Sequence, residues 1–248
     1  MNRLEISLFG HFDVTLNGKP APWHGGEATQ ALLAYLAMHV GSECQRTSLA
    51  ALLWPDCPEE TALQNLRQAL RRLRQSIGDE DTDLPFLLVT RQAIALNPDS
   101  DYHLDVAAFR ETIAAAKEHA HRQLERCPSC AQRLREAVEL YRGEFLAGLS
   151  LPSDLFQEWL VVEREALHEQ VLEALATLAA YHEARGEYEE AIRYAQRQVA
   201  LEPWREVAHR QWMRALAFSG QRGAALAQYE NCRRILEEEL GIEPTAET

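Results

Sequence analysis

Two stretches of the chain gather side chains suited to chemistry. In the first, Glu59 to Ile77 (EETALQNLRQALRRLRQSI), Arg67, Arg71 and Arg74 recur at i, i+4 and i+7, with Arg72, Gln64, Asn65, Gln68 and Gln75 around them. Guanidinium forks and side-chain amides match phosphates and base edges, so a helix displaying them is a candidate major-groove reader. The same pattern occurs on plain solvated helices, because arginine is a good helix former that needs no partner. In the second stretch, HAHRQLERCPSC, His119 and His121 stand close to the CxxC of Cys127 and Cys130. Imidazole and thiolate are the ligands tetrahedral zinc prefers, which makes these four residues a candidate structural zinc site. Histidines at i and i+2 point to nearly opposite sides of a helix, so both ligate only where the helix has ended before His121. The alternatives are an inert surface loop or a thioredoxin-like pair, and the latter lacks its strand-helix setting.

Elements that position these residues can be read around them. Within the arginine stretch, Leu63, Leu66, Leu70, Leu73 and Ile77 fall at steps of 3, 4, 3 and 4, which predicts a helix with one apolar face for the core and the arginines opposite. Upstream, Leu4, Ile6 and Leu8, then Phe12, Val14 and Leu16, alternate with polar residues before an Asn17-Gly18 turn, the pattern of a small antiparallel sheet. A first helix is predicted over Ala28 to Val40, stopped by Gly41. A second runs from Thr47 or Ser48 to Trp54, where Pro55 and Pro58 break the chain. After Ile77 an acidic loop leads to two short apolar runs, Phe86 to Thr90 and Ile94 to Leu96, a hairpin around Arg91. Strands, three helices and a hairpin in this order describe a winged helix-turn-helix preceded by a sheet, over residues 1–104.

From 105 to 248 the spacing is helical almost throughout, with helices expected over about Val106–Ala120, Ala131–Tyr141, Leu155–Ala184, Tyr188–Ala200, Arg205–Ser219 and Gly223–Leu240. Gly186, Ala191 and Ile192 recur 34 residues later as Gly220, Ala225 and Leu226. That period, with a glycine between helices and Pro203 after the second, is the tetratricopeptide signature of stacked helix pairs. Trp54, Trp159, Trp204 and Trp212 sit inside apolar patterns and read as packing residues. Cys44, Cys57 and Cys232 are isolated and read as small apolar filler.

The 248 residues, 46% hydrophobic and 25% charged, can bury substantial cores. Net charge is -13, and all basic residues but Lys19 and Lys117 are arginine. An acidic chain lacks the general phosphate attraction behind non-specific nucleic-acid binding. The first residues lack the apolar run of a secretory signal, no stretch approaches the ~18 apolar residues of a membrane span, and the sparse cysteines fit a reducing compartment, so a cytoplasmic location without membrane partners is expected. No GxxxxGK[ST], GxSxG or HExxH occurs, so no enzyme is expected.

Beyond these patterns, LLWPD (Leu52–Asp56), NLRQALRRLR (Asn65–Arg74), LDVAAF (Leu104–Phe109), LYRGEFLAGL (Leu140–Leu149), EPWREVAHRQWMRAL (Glu202–Leu216) and ELGIEP (Glu239–Pro244) resemble the bacterial antibiotic regulatory protein (SARP/AfsR-like) family. Members of this family join an OmpR-like winged helix to a helical bacterial transcriptional activator domain. The resemblance implies a transcriptional activator that binds double-stranded DNA, with Asn65 to Arg74 in the recognition helix, Phe86 to Leu96 as the wing, and often a nucleotide-binding switch domain beyond. The chain departs from the family's basic entry to the first helix, carrying WHGGEAT at Trp23–Thr29.

The residues expected at DNA are Asn65, Arg67, Gln68, Arg71, Arg72, Arg74 and Arg91. The helical repeats are expected to contact RNA polymerase, a further domain of the same protein or a second copy of the chain. Over residues 1–105, eight basic residues stand against fourteen acidic. This balance keeps an alternative open, a protein-interaction module of a signalling ATPase whose winged helix no longer binds DNA.

Overall fold

The computed structural model describes residues 2–82, 84–120 and 126–248. It divides into two compact units, one of residues 1–108 and 140–167 and the other of residues 109–139 and 168–248. The first is mixed α and β and the second is all helical, so the chain is mainly α with a small β part.

In the first unit, β1 (Leu4–Ser7) pairs antiparallel with β2 (Asp13–Leu16), which pairs with β3 (Lys19–Pro20). The alternation of Leu4 and Ile6 with Glu5 and Ser7 sends the first pair inward, where both are essentially fully buried. Three helices follow: α1 (Glu27–Met38), α2 (Arg46–Leu53) and α3 (Glu59–Ser76). The second helix starts at Arg46, one residue before the predicted caps, and no side chain caps it. Tertiary pairing sets that start: β4 (Cys44–Gln45) joins the hairpin, and Arg46 N donates to Gln92 O at 2.8 Å. The hairpin is β5 (Leu87–Val89) and β6 (Ala93–Leu96), and β4, β6 and β5 form a three-stranded sheet in that order. The arrangement is a winged helix-turn-helix behind an N-terminal sheet.

A last strand, β7 (Tyr102–Leu104), lies parallel beside β1, and the ladder ends at Ile6 opposite Leu104. There the chain turns into α4 (Asp105–Glu118). The buried Asp105 carboxylate replaces the missing ladder partner, accepting from Leu8 N at 2.9 Å, Phe9 N at 3.1 Å and Val106 N at 2.8 Å. Residues 140–167 also belong to this unit. Leu146 N donates to Leu8 O and Ala147 N to Gly10 O, and Phe9 bridges Phe145. A Cβ on Gly143 would lie 3.2 Å from the Gly10 Cα, so two glycines face each other where the backbones meet. Arg164 clasps the segment, its Nε and Nη2 donating to the carbonyls of Phe145 and Leu146, both at 2.8 Å. The Trp159 ring packs against Tyr35, His39, Phe145 and Phe156.

The second unit takes in α5 (Pro128–Leu140), the later part of α6 (Asp154–Ala184), α7 (Tyr188–Leu201), α8 (Glu206–Phe218) and α9 (Arg222–Leu240). The 34-residue repeat is visible in its hydrogen bonds. Glu187 N donates to His182 O and Gln221 N to Leu216 O, both at 2.9 Å, across turns where Gly186 and Gly220 have φ of +74° and +85°. Only glycine adopts that conformation without steric cost, which is why the same residue closes both helix pairs. Between the pairs, the fully buried His209 accepts or donates at both ring nitrogens, to Pro203 O and the Gln228 amide. Trp204 remains 43% exposed, so it departs from the packing expected of it.

Candidate functional site

The arginine helix α3 positions its side chains through the apolar stripe beneath them. Leu66, Leu70, Leu73 and Ile77 are buried together with Ala62 and Ala69, whereas Leu63 is only half-buried. With residues 100° apart around the helix axis, this stripe leaves an arc from Gln64 to Gln75 facing outward. Arg67, Gln68, Arg71 and Arg72 are exposed on that arc, and Asn65 is half-buried at its edge. Among the described residues, the guanidinium groups of Arg67, Arg71, Arg72 and Arg91 have no hydrogen-bonded or ion-paired partner. Four cations without internal counter-ions are available to an anionic ligand.

Asn65, Gln68 and Arg72 line a groove of about 410 Å³ together with Gly26, Thr29, Trp54 and Pro152. Beside it, Arg71, Gln75 and Gly78 line a smaller, more polar hollow of about 300 Å³. The wing is held against the helical part by Arg46, whose Nε donates to Thr90 O at 3.1 Å. Thr90 Oγ in turn accepts from Ala93 N at 2.9 Å, which tightens the turn presenting Arg91.

Arg74 is engaged differently from its neighbours. Its Nε donates to the buried Asp79 carboxylate at 2.9 Å and its Nη1 lies 3.4 Å from Glu80. Asp79 also accepts from Leu87 N at 3.0 Å, so the pair ties the end of α3 to the first wing strand. Arg74→Ala is therefore expected to lower stability by about 1 to 3 kcal/mol, the cost of leaving a buried acceptor short of its donor. Urea unfolding checks this; an unchanged midpoint would show that the pair does not hold the wing.

The second predicted cluster lies in the second unit. His119 follows α4, and Cys127 sits at the start of α5, its carbonyl accepting from Ala131 N at 3.0 Å with Pro128 at the first helical position. His119 Nδ1 is 3.5 Å from Cys127 Sγ and 3.3 Å from Cys130 Sγ, and the three donor atoms lie within 4.8 Å of one another. His121 lies outside the described residues. The Cys127 thiol is drawn down to about 6, first by its hydrogen bond with Ser129 and then by the Cys130 backbone N–H, while burial pushes the Cys130 thiol up.

The structure keeps the arginine helix and the His/Cys cluster apart in the two units, and it pairs Arg74 internally, which helical spacing alone does not indicate. The signal was Asp79 and Glu80, five and six residues on in the loop. Sequence reasoning also missed Asp105, whose role depends on two strands meeting about 100 residues apart.

Comparison with known proteins bears on the family and the fold. The family model described as "Bacterial transcriptional activator domain" matches residues 104–248. Among solved structures, the chain is similar to Mycobacterium tuberculosis EmbR in complex with a low-affinity phosphopeptide, with a TM-score of 0.75 and 24% identity. The likeness covers 99% of this chain and 63% of that one, and at this identity it shows a shared fold. No curated protein matches.

Proposed function

Because the chain belongs to the bacterial transcriptional activator domain family, we propose that it is a DNA-binding regulator whose α3 reads the major groove and whose helical repeats meet a protein partner. The observation that carries this reading is the set of exposed, internally unpaired cations at Arg67, Arg71 and Arg72, with Asn65 and Gln68 beside them on a helix anchored by buried leucines. Arg91 at the wing tip adds a phosphate contact, base edges are read by the amides and one or two arginines, and Arg74 serves by orienting the helix end.

Phosphate contacts are few. The N-terminus of α1 presents Gly26 and Glu27 where basic residues would hold a backbone, so affinity for DNA without the right sequence is weak. The solved structure of similar fold belongs to a longer chain that binds a phosphopeptide. We read the present chain likewise as the DNA-reading and coupling part of a larger switch, with RNA polymerase, another domain or a second copy as candidate partners of the repeats. The acidic balance of residues 1–105 favours one other reading, a module that binds protein and has lost DNA.

Nuclear magnetic resonance mapping with a short duplex at low salt separates the two. DNA reading predicts shifts concentrated at Asn65 to Arg72 and at Arg91. No shift there, or shifts confined to α8 and α9, would transfer the assignment to the protein-binding module.

A further inference from the structure

One imidazole nitrogen has either one proton to give or one lone pair, so a hydrogen bond joins His119 Nδ1 to one sulfur well and to a second poorly. Here the same nitrogen approaches both sulfurs at nearly equal distance, 3.5 Å from Cys127 and 3.3 Å from Cys130. Three donors converging within 4.8 Å of one another is the arrangement a common ion produces. The edges fit a particular one. With zinc–sulfur bonds of about 2.3 Å and zinc–nitrogen bonds of about 2.0 to 2.1 Å, a tetrahedron has nitrogen–sulfur edges of about 3.6 Å. All three donor atoms lie within 4.8 Å of one another, compatible with the sulfur–sulfur edge of about 3.8 Å that the same geometry requires.

The local backbone is built to hold this set. Pro128 fixes the first position of α5 and the Ala131 N–H bonds the Cys127 carbonyl, so the two thiols project from one helix start as a knuckle. Cys130 is fully buried, and its thiol donates to Ala116 O on α4 at 3.5 Å, a long bond given up when the thiol deprotonates to coordinate. Two thiolates and an imidazole are soft and borderline donors, which select zinc over magnesium or calcium.

We propose that His119, Cys127 and Cys130 bind one zinc ion through Nδ1 and the two Sγ atoms, and that the ion joins the end of α4 to the start of α5. On binding, each thiol gives its proton to solvent and coordinates as thiolate, and the imidazole binds neutral. These residues supply three corners of the tetrahedron, and the fourth goes to water or a further donor. The role is structural: the ion binds the folded arrangement and not the unfolded chain, so it stabilises the fold.

The test uses the whole chain, purified with reduced thiols and no chelator. Elemental analysis should find about one zinc per chain, falling below about a fifth in Cys127→Ser, whose half-buried position leaves the fold intact by circular dichroism. Cobalt(II) added to the metal-free chain should give thiolate charge-transfer bands and tetrahedral visible bands in wild type and weakened ones in the variant. A chelator should lower the melting temperature of wild type alone. Zinc below about a tenth of an equivalent together with no cobalt bands would overturn the proposal. So would a Cys127–Cys130 disulfide in chain isolated without reductant, seen as a mass lower by two hydrogens, because it would make the pair a redox element.

Discussion

Asp105→Ala is expected to lower the stability of the first unit by about 2 to 4 kcal/mol, the cost of leaving buried backbone donors without their acceptor. One buried carboxylate accepts from Leu8, Phe9 and Val106 and lies 3.4 Å from Arg142 Nη2. Removing it strands three backbone N–H groups where β1 ends and α4 begins. Asp105→Asn keeps one acceptor oxygen and should lose only about 1 to 2 kcal/mol. Chemical denaturation followed by tryptophan fluorescence measures both, with Trp23, Trp54 and Trp159 in this unit as reporters. An alanine variant within about 1 kcal/mol of wild type would mean that the strand ends do not depend on this residue.

The second large effect concerns binding. Arg67→Ala and Arg71→Ala should each weaken binding to a preferred duplex by about 1 to 3 kcal/mol, a factor of roughly 5 to 150, if those side chains reach base edges. Arg91→Ala should instead lower affinity for all duplexes alike and reduce the salt slope by about one unit, because the proposed role of a wing-tip arginine is to meet phosphate. Fluorescence anisotropy across a salt series distinguishes them. Identical losses on matched and mismatched duplexes for Arg67→Ala and Arg71→Ala would move those residues from reading to positioning.

Most of the fold was readable because each element announces itself locally. The stretch Glu59 to Ile77, picked out by the helical steps of Leu63, Leu66, Leu70, Leu73 and Ile77, matches α3 to within a residue, and the recurrence of Gly186 as Gly220 gives the repeat turns directly. Pairings between distant residues left no such mark. The strand Tyr102–Leu104 is a short run whose partner, β1, lies at the other end of the winged-helix sequence. The segment Leu140–Leu149 follows a helix and precedes another, yet its backbone binds Leu8 and Gly10 and it belongs with the first unit. Nothing in its composition says so, since the bonds are main chain to main chain.

The candidate site divides along the same line. Residue type and helical spacing picked out Arg67, Arg71 and Arg72 as outward-facing cations, because exposure on a helix follows from the phase of its apolar stripe. Arg74 shares their spacing but is bound to Asp79 beyond the helix end, a pairing that depends on the fold of that loop and not on the phase of the helix. At the His119, Cys127 and Cys130 cluster, the CxxC spacing was visible, whereas the approach of His119 depends on how α4 and α5 come together.

The central claim, that α3 reads sequence in DNA, is tested most directly by selecting bound duplexes from a random pool. Wild type is run beside an Arg67→Ala/Arg71→Ala/Arg72→Ala variant at two salt concentrations. The account predicts one motif enriched by wild type, sharper at the higher salt as non-specific binding fades, and none enriched by the variant. Equal enrichment by both proteins, or none by wild type even at low salt, would contradict it.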